Sequence, residues 1–177
     1  MGTYVALLRG INVGAHNPVA MADLRTRVSE LGFQDVRTHL QSGNVVFRAP
    51  VTANDDLEEA IADRLAAELG LSVAVLVRTA DELRDVVAGN PLPVHDPSRS
   101  VVLFLAAAID PRRLADIDPG RYVPELFAVR PSEIYLYCAN GILESELTRV
   151  FNDRRLGCAV TARNWNTVTK LAGMLDR

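Results

Sequence analysis

Val36-Arg37-Thr38-His39-Leu40-Gln41-Ser42-Gly43-Asn44-Val45-Val46-Phe47-Arg48 is the stretch on which the fold turns. Val36 to Leu40 and Val45 to Arg48 read as two short strands, and Gln41-Ser42-Gly43-Asn44 between them supplies the Gly and Asn that suit the positive φ of a tight hairpin turn. Toward the amino terminus, Thr3 to Arg9 is an apolar run ending at Gly10, which predicts a central strand feeding a loop from about Gly10 to Ala20. Met21, Leu24, Val28 and Leu31 then recur at helical spacing, with Gly32 behind them as a carboxy-terminal cap. Toward the carboxy terminus, Asn54 can cap a helix that Leu57, Ile61, Leu65 and Leu69 mark on one face and Gly70 closes. Ser72 to Arg78 follows as a strand. Strand, helix, hairpin, helix, strand is the split βαββαβ order of a ferredoxin-like unit.

The second half follows without a long linker. Thr79 and Glu82 have capping-box spacing for a short helix carrying Leu83, Val86 and Val87 and ending at Gly89. Three prolines make 90–97 a loop, Ser100 to Ala107 reads as a buried strand, and Asp110-Pro111 can start a short helix. Glu125 to Val129 and Glu133 to Cys138 form a hairpin across Arg130-Pro131-Ser132, and Asn140-Gly141 is a turn. Leu143, Leu147, Val150 and Phe151 predict one helix reaching Leu156-Gly157, and Val168, Leu171 and Leu175 a last helix from about Asn166. The expected class is therefore α+β, with a ferredoxin-like βαββαβ first half over 1–79 and a smaller α+β second half over 80–177 packed against it. Leu31-Gly32, Leu69-Gly70 and Leu156-Gly157 each close a helical stripe ahead of a Val-containing strand. Leucine before glycine is also an ordinary way to end a helix, so the echo supports the class and nothing finer.

Composition narrows the function classes. At 177 residues, 49% hydrophobic and 23% charged, the chain has the usage of a folded globular protein rather than a disordered one. A net charge of −3 argues against a whole-surface grip on nucleic acid and leaves room only for local basic patches. The amino terminus lacks a basic stretch followed by a long apolar core, and the longest apolar run, Val101 to Ile109, is far short of the roughly 20 residues of a spanning helix. No export and no membrane partner are expected, and the location expected is the cytoplasm. Cys138 and Cys158 form no CxxC, and His16, His39 and His95 show no ligand spacing. No metal and no cofactor are expected, and the cysteines read as small core residues.

Three stretches could carry chemistry. Arg9-Gly10-Ile11-Asn12-Val13-Gly14 sits where the first strand hands over to the first helix, so its glycines could let backbone N–H groups approach an anion while Arg9 adds charge. It is neither GxGxxG nor GxxxxGK[ST], and glycines that merely turn the chain would look the same. Ser42-Gly43-Asn44 is weaker, since a hairpin turn alone would select it. Thr161-Ala162-Arg163-Asn164-Trp165-Asn166-Thr167 is the most loaded, with the chain's single tryptophan beside a helix start that Asn166 could cap. First-turn N–H groups, Arg163 and Lys170 could then converge on an anion. From Thr148 to Leu175 five basic residues face one acid, Asp153, whereas Ala53 to Leu69 holds six acids and one base and reads as a solvated face. Lys170 is the only lysine among 19 basic residues, a choice that either chance or a flexible point charge explains. No catalytic triad or Walker motif is visible.

Leu8-Arg9-Gly10-Ile11-Asn12-Val13-Gly14, Gln41-Ser42-Gly43-Asn44-Val45-Val46-Phe47 and Arg163-Asn164-Trp165-Asn166-Thr167-Val168, in that order, resemble the bacterial family called domain of unknown function 1697. The resemblance spans nearly the whole chain and implies a two-part α+β fold with a ferredoxin-like first half, but no established activity. It directs attention to Arg9, Asn12, Gly14, Ser42, Gly43, Asn44, Arg163, Asn164, Trp165, Asn166, Thr167 and Lys170. Ala15 departs from the second glycine frequent in the family.

The leading expectation is a polar site in which the Arg9 loop and the Arg163 segment take a small phosphorylated or carboxylated ligand. A nucleic-acid-binding module is the alternative, because βαββαβ sheets can stack bases, although Tyr4 and Phe47 are the only aromatic candidates. A third reading makes Trp165 and the asparagines a structural clasp without a ligand. The loop after the first strand and the hairpin turn are expected at opposite ends of the sheet, about 20 Å apart, so the Arg163 segment should reach only one of them.

Overall fold

A computed structural model describes residues 1–176. The chain divides into two compact units, one of Met1–Asp85 and the chain from Lys170 onward, the other of Val86–Thr169. Both contain helix and antiparallel sheet, so the fold class is α+β.

Unit 1 runs β1 (Gly2–Leu8), α1 (Met21–Ser29), β2 (Gln34–His39), β3 (Asn44–Ala49), α2 (Asn54–Leu69) and β4 (Val75–Thr79), with α3 (Ala80–Ala88) beginning in it. Its strand order is β2-β3-β1-β4, antiparallel throughout, the ferredoxin-like arrangement. Strand alternation explains the packing. Tyr4, Ala6 and Leu8 of β1, Val45 and Phe47 of β3 and Val75 and Val77 of β4 share a core with Leu24 and Val28 of α1 and Leu57, Ile61 and Leu65 of α2. Each such fully buried aliphatic side chain stabilises the unit by about 1.5–3 kcal/mol relative to exposure. The intervening residues Val5, Leu7, Val46 and Leu76 are buried as well. Gly70 ends α2 in the left-handed conformation, and Thr79 and Glu82 form the expected reciprocal cap of α3, with N···O distances of 2.7 and 3.1 Å. Asn54 does not cap α2. It is the first helical residue, and its side-chain amide donates to Glu82.

Unit 2 runs β5 (Ser100–Leu105), two 3-10 turns at Pro111–Leu114 and Pro119–Tyr122, β6 (Leu126–Val129), β7 (Glu133–Tyr137), α4 (Glu146–Val150), α5 (Asp153–Leu156), β8 (Val160–Asn164) and the start of α6 (Trp165–Leu175). Its strand order is β6-β7-β5-β8, which repeats that of unit 1 position for position. The strands place Val101, Leu103, Leu105, Ile134 and Leu136 in a core with Leu147, Phe151 and Leu156. Two expectations are corrected here. The single helix toward Leu156 is broken, because Asn152 adopts an extended conformation and its side chain caps α5 through the Arg155 N–H at 3.0 Å. The Val-containing strand expected behind Leu156-Gly157 is β8, but it pairs with β5 from Val160 as far as Asn164, so Thr161, Arg163 and Asn164 lie in the strand and not in a polar lead-in to the last helix. The division between units falls inside α3 and inside α6.

No helix among the described residues is long and apolar enough to cross a membrane.

Candidate functional site

Antiparallel pairing sets the geometry at one end of unit 1. β1 ends where β3 begins, since Leu7 is opposite Asn44 and the Leu8 N–H donates to the Gly43 carbonyl at 2.8 Å. The loop after β1 and the β2–β3 turn therefore meet at the same sheet edge, not at opposite ends as expected. The physical reason is the split βαβ crossover: β2 runs parallel to β1, so the hairpin that follows β2 turns back beside the end of β1. Gly43 shows how close the approach is. Its φ is +80°, and a Cβ there would lie 2.6 Å from Ile11 Cδ1 and 2.8 Å from Leu8 Cβ. Only glycine fits that contact.

Asn12 ties the two segments together. Its side-chain amide donates to the Gln41 carbonyl at 2.8 Å and the Val19 carbonyl at 3.0 Å, and its Oδ1 accepts from the Val19 N–H at 2.8 Å. Asn44, fully buried, donates to the His39 carbonyl and to Ser42 Oγ. Both asparagines thus direct their amide nitrogens at the scaffold. Arg9, Gly14 and Ser42 are exposed around them. Three of the four non-glycine residues at positive φ among the described residues, Asn12, Asn17 and Leu40, lie in these two segments. Asparagine tolerates that region, but Leu40 at +59° and 57% exposed is strained. Such strain gathers at binding edges when the surroundings over-determine it.

Lys170 belongs to the same unit. Burial pushes the His39 imidazole below its usual range, and the charge of Lys170 lowers it further. Lys170 is itself exposed. His39, at the end of β2, was not singled out from the sequence; its signal there was only its place beside the hairpin turn.

The Arg163 segment is built differently. Arg163 is a buried residue of β8 whose Nη1 donates to Thr161 Oγ1 at 2.7 Å and to the Ala162 carbonyl at 2.8 Å. Burial lowers its pKa to about 10, which still leaves the guanidinium charged at neutral pH. Asn164, not Asn166, caps α6, its Oδ1 accepting from the Thr167 N–H at 2.9 Å. Trp165 and Asn166 occupy the first turn, half-buried and exposed, and their carbonyls accept from Thr169 Oγ1. Each of these hydrogen bonds stays within unit 2.

The aromatic pair proposed for base stacking is in the core. Tyr4 and Phe47 are 2% and 0% exposed, with ring centroids 5.7 Å apart, and Phe33 stacks on Phe47 at 4.9 Å. Neither ring is on an open sheet face. No His, Cys, Asp or Glu cluster fit for a metal ion occurs among the described residues.

Comparison with solved structures relates the chain to the conserved bacterial protein SP0830 from Streptococcus pneumoniae, at a TM-score of 0.73 and 23% identity over 98% of each chain. That likeness establishes the shared fold. No curated protein matches the chain. A family model described as "Protein of unknown function (DUF1697)" matches residues 1–135, which hold the β1 loop and the hairpin turn, and the chain belongs to that family.

Proposed function

We propose that the edge of unit 1 formed by the β1 loop and the β2–β3 turn binds a small anion, phosphorylated or carboxylated, with Arg9 and Lys170 supplying charge and Ser42 a hydroxyl. The observation that carries this reading is the joining of the two segments by Asn12, which leaves Arg9, Gly14 and Ser42 exposed beside the His39 that feels the Lys170 charge. Two positive groups at a polar edge would favour an anion more than either would alone. Arg163, Asn164, Trp165 and Asn166 enter as structural supports of unit 2 rather than as contacts, because Arg163 is committed to Thr161 and Ala162. We place the protein in the cytoplasm, a reading supported by the two free thiols, Cys138 and Cys158. The test is thermal shift with inorganic phosphate, nucleotides, sugar phosphates and short RNA, at low and high salt, on wild type, Arg9→Ala and Lys170→Ala. One small anion at a hundred times its Kd should stabilise the wild type by about 2.7 kcal/mol, roughly 5–10 °C for a chain of this size. The shift should shrink in salt and in both variants, whose own melting temperatures stay close to wild type. No shift with any small anion, or an equal shift in the variants, contradicts the proposal.

A further inference from the structure

Unit 2 carries a second concentration of charge, on residues that take no part in the unit 1 edge. An open groove of about 460 Å³ is lined by Arg112, Arg113, Asp116, Asn152, Arg154 and Arg155. Unit 2 as a whole has nine arginines and nine carboxylates, so four of nine guanidinium groups gather in one place within a neutral unit. Two of the four have carboxylate partners: Arg112 pairs with Asp110 at 2.8 Å and Arg155 with Asp116 at 2.7 Å. Arg113 and Arg154 have no carboxylate within 4 Å among the described residues, and the nearby Asp153 turns an oxygen to the Val160 N–H.

The cluster is assembled by side-chain-to-carbonyl hydrogen bonds between segments 42 residues apart. Arg113 Nη1 donates to the Arg155 carbonyl at 3.1 Å, and Arg155 Nη1 donates back to the Arg113 carbonyl at 3.4 Å. Gly157 makes room for this clamp, since a Cβ there would lie 2.7 Å from Arg113 Cζ. Like charges held together in this way repel one another, and an anionic partner relieves that repulsion. The lining names the partner's chemistry. It offers guanidinium forks suited to phosphate oxygens, no aromatic ring on which a base could stack, and no apolar side chain to enter a membrane. Its open form suits an extended chain of phosphates better than a single enclosed one.

We propose that this arginine groove binds the phosphate backbone of a nucleic-acid duplex without reading its sequence. Two to four neutralised phosphates give a slope of log K against log salt of about −2 to −4. Affinity should then fall about tenfold to two-hundredfold between 50 and 200 mM KCl. The test is fluorescence anisotropy of the full chain with a labelled 20-base-pair DNA of mixed sequence, on wild type, Arg154→Ala, Arg154→Glu and Arg9→Ala. Arg154→Ala should weaken binding several-fold and reduce the salt slope by about one, Arg154→Glu should weaken it further, and Arg9→Ala should match wild type. Circular dichroism and melting of the Arg154 variants, whose side chain is exposed, should be unchanged. The proposal is overturned if the duplex does not bind at 50 mM KCl, if folded Arg154→Glu binds as wild type does, or if Arg9→Ala alone removes binding. It is equally overturned if anionic phospholipid vesicles or free inorganic phosphate bind in an Arg154-dependent way while the duplex does not.

Discussion

Unit 1 and unit 2 share a strand order but cover their sheets by different means. In unit 1 the crossovers are α1, of 9 residues, and α2, of 16, and the latter places Leu57, Ile61 and Leu65 in the core. In unit 2 the first crossover has only two 3-10 turns, each started by an Asp-Pro step, and the second is split into α4 and α5, of 5 and 4 residues. The sheet topology is therefore compatible with very little helix, provided that other apolar residues fill the same side. Ile109, Leu114, Ile117 and Tyr122 do so in unit 2. The shared devices are at the joints. Gly70 and Gly157 both close the helix before the last strand in left-handed geometry, and in each unit a carboxylate of the preceding helix caps an N–H of that edge strand: Glu58 accepts from Val77 at 2.7 Å and Asp153 from Val160 at 3.2 Å. A capped edge is also protected from pairing with another chain.

Phe47→Ala should produce the largest loss, and it should fall on unit 1. It removes a fully buried ring stacked on Tyr4 and Phe33, at an expected loss of about 3–5 kcal/mol in chemical denaturation. Survival of the unit 1 core in Phe47→Ala with a loss below about 1 kcal/mol would mean that the stacked triplet is not what organises it.

The glycines separate the units more finely. Gly43→Ala meets packed Ile11 and Leu8 at positive φ and should cost about 2–4 kcal/mol, whereas Gly157→Ala meets only the movable end of Arg113 and should cost about 1–2 kcal/mol, mostly backbone strain. Equal losses in the two variants would show that the close approach at Gly43 carries no stability.

Smaller still is the difference between the edge caps. Glu58→Ala leaves the Val77 N–H without its partner and should cost about 1–3 kcal/mol, more than Asp153→Ala with its longer bond. Burial raises the Glu58 carboxyl above its ordinary value, the Val77 N–H partly offsetting this. The folded state therefore holds that proton longer, and stability contributed by the group falls as pH rises from about 4.5 toward the raised value. Glu58→Gln should flatten that slope in a pH series of melting temperatures.

Much of unit 1 was legible because its elements announce themselves. The Leu57-Ile61-Leu65-Leu69 stripe, Gly70 and the Thr79–Glu82 box each have one local meaning. The repeat in unit 2 was not legible, because Pro111 and Pro119 break the periodicity that would mark a crossover helix, and the polar Thr161, Arg163 and Asn164 hide how far the strand after Gly157 runs. The Leu-Gly echo at 69–70 and 156–157 was in fact a trace of equivalent joints, but two residues could not establish it. At the candidate edge the sequence supplied Arg9, Gly14, Ser42 and Lys170 while placing the two loops at opposite ends of the sheet. That error came from the direction of one crossover. Sequence alone does not sort Asn12, Asn44 and Asn164 between capping and recognition, because the same amide serves either role.

The most direct test of the anion site is the imidazole titration of His39 followed by NMR, with and without inorganic phosphate. Without phosphate the midpoint should lie below 6.5, and the depression should shrink in Lys170→Ala. Because the unfolded chain takes up that proton first, this histidine should also cost stability as pH falls through about 6.5. Phosphate bound near Lys170 and Arg9 offsets their charge and favours the imidazolium, so the account predicts that the midpoint rises saturably in wild type and not in Lys170→Ala. A His39 midpoint that ignores phosphate at every concentration up to tens of millimolar would contradict the account.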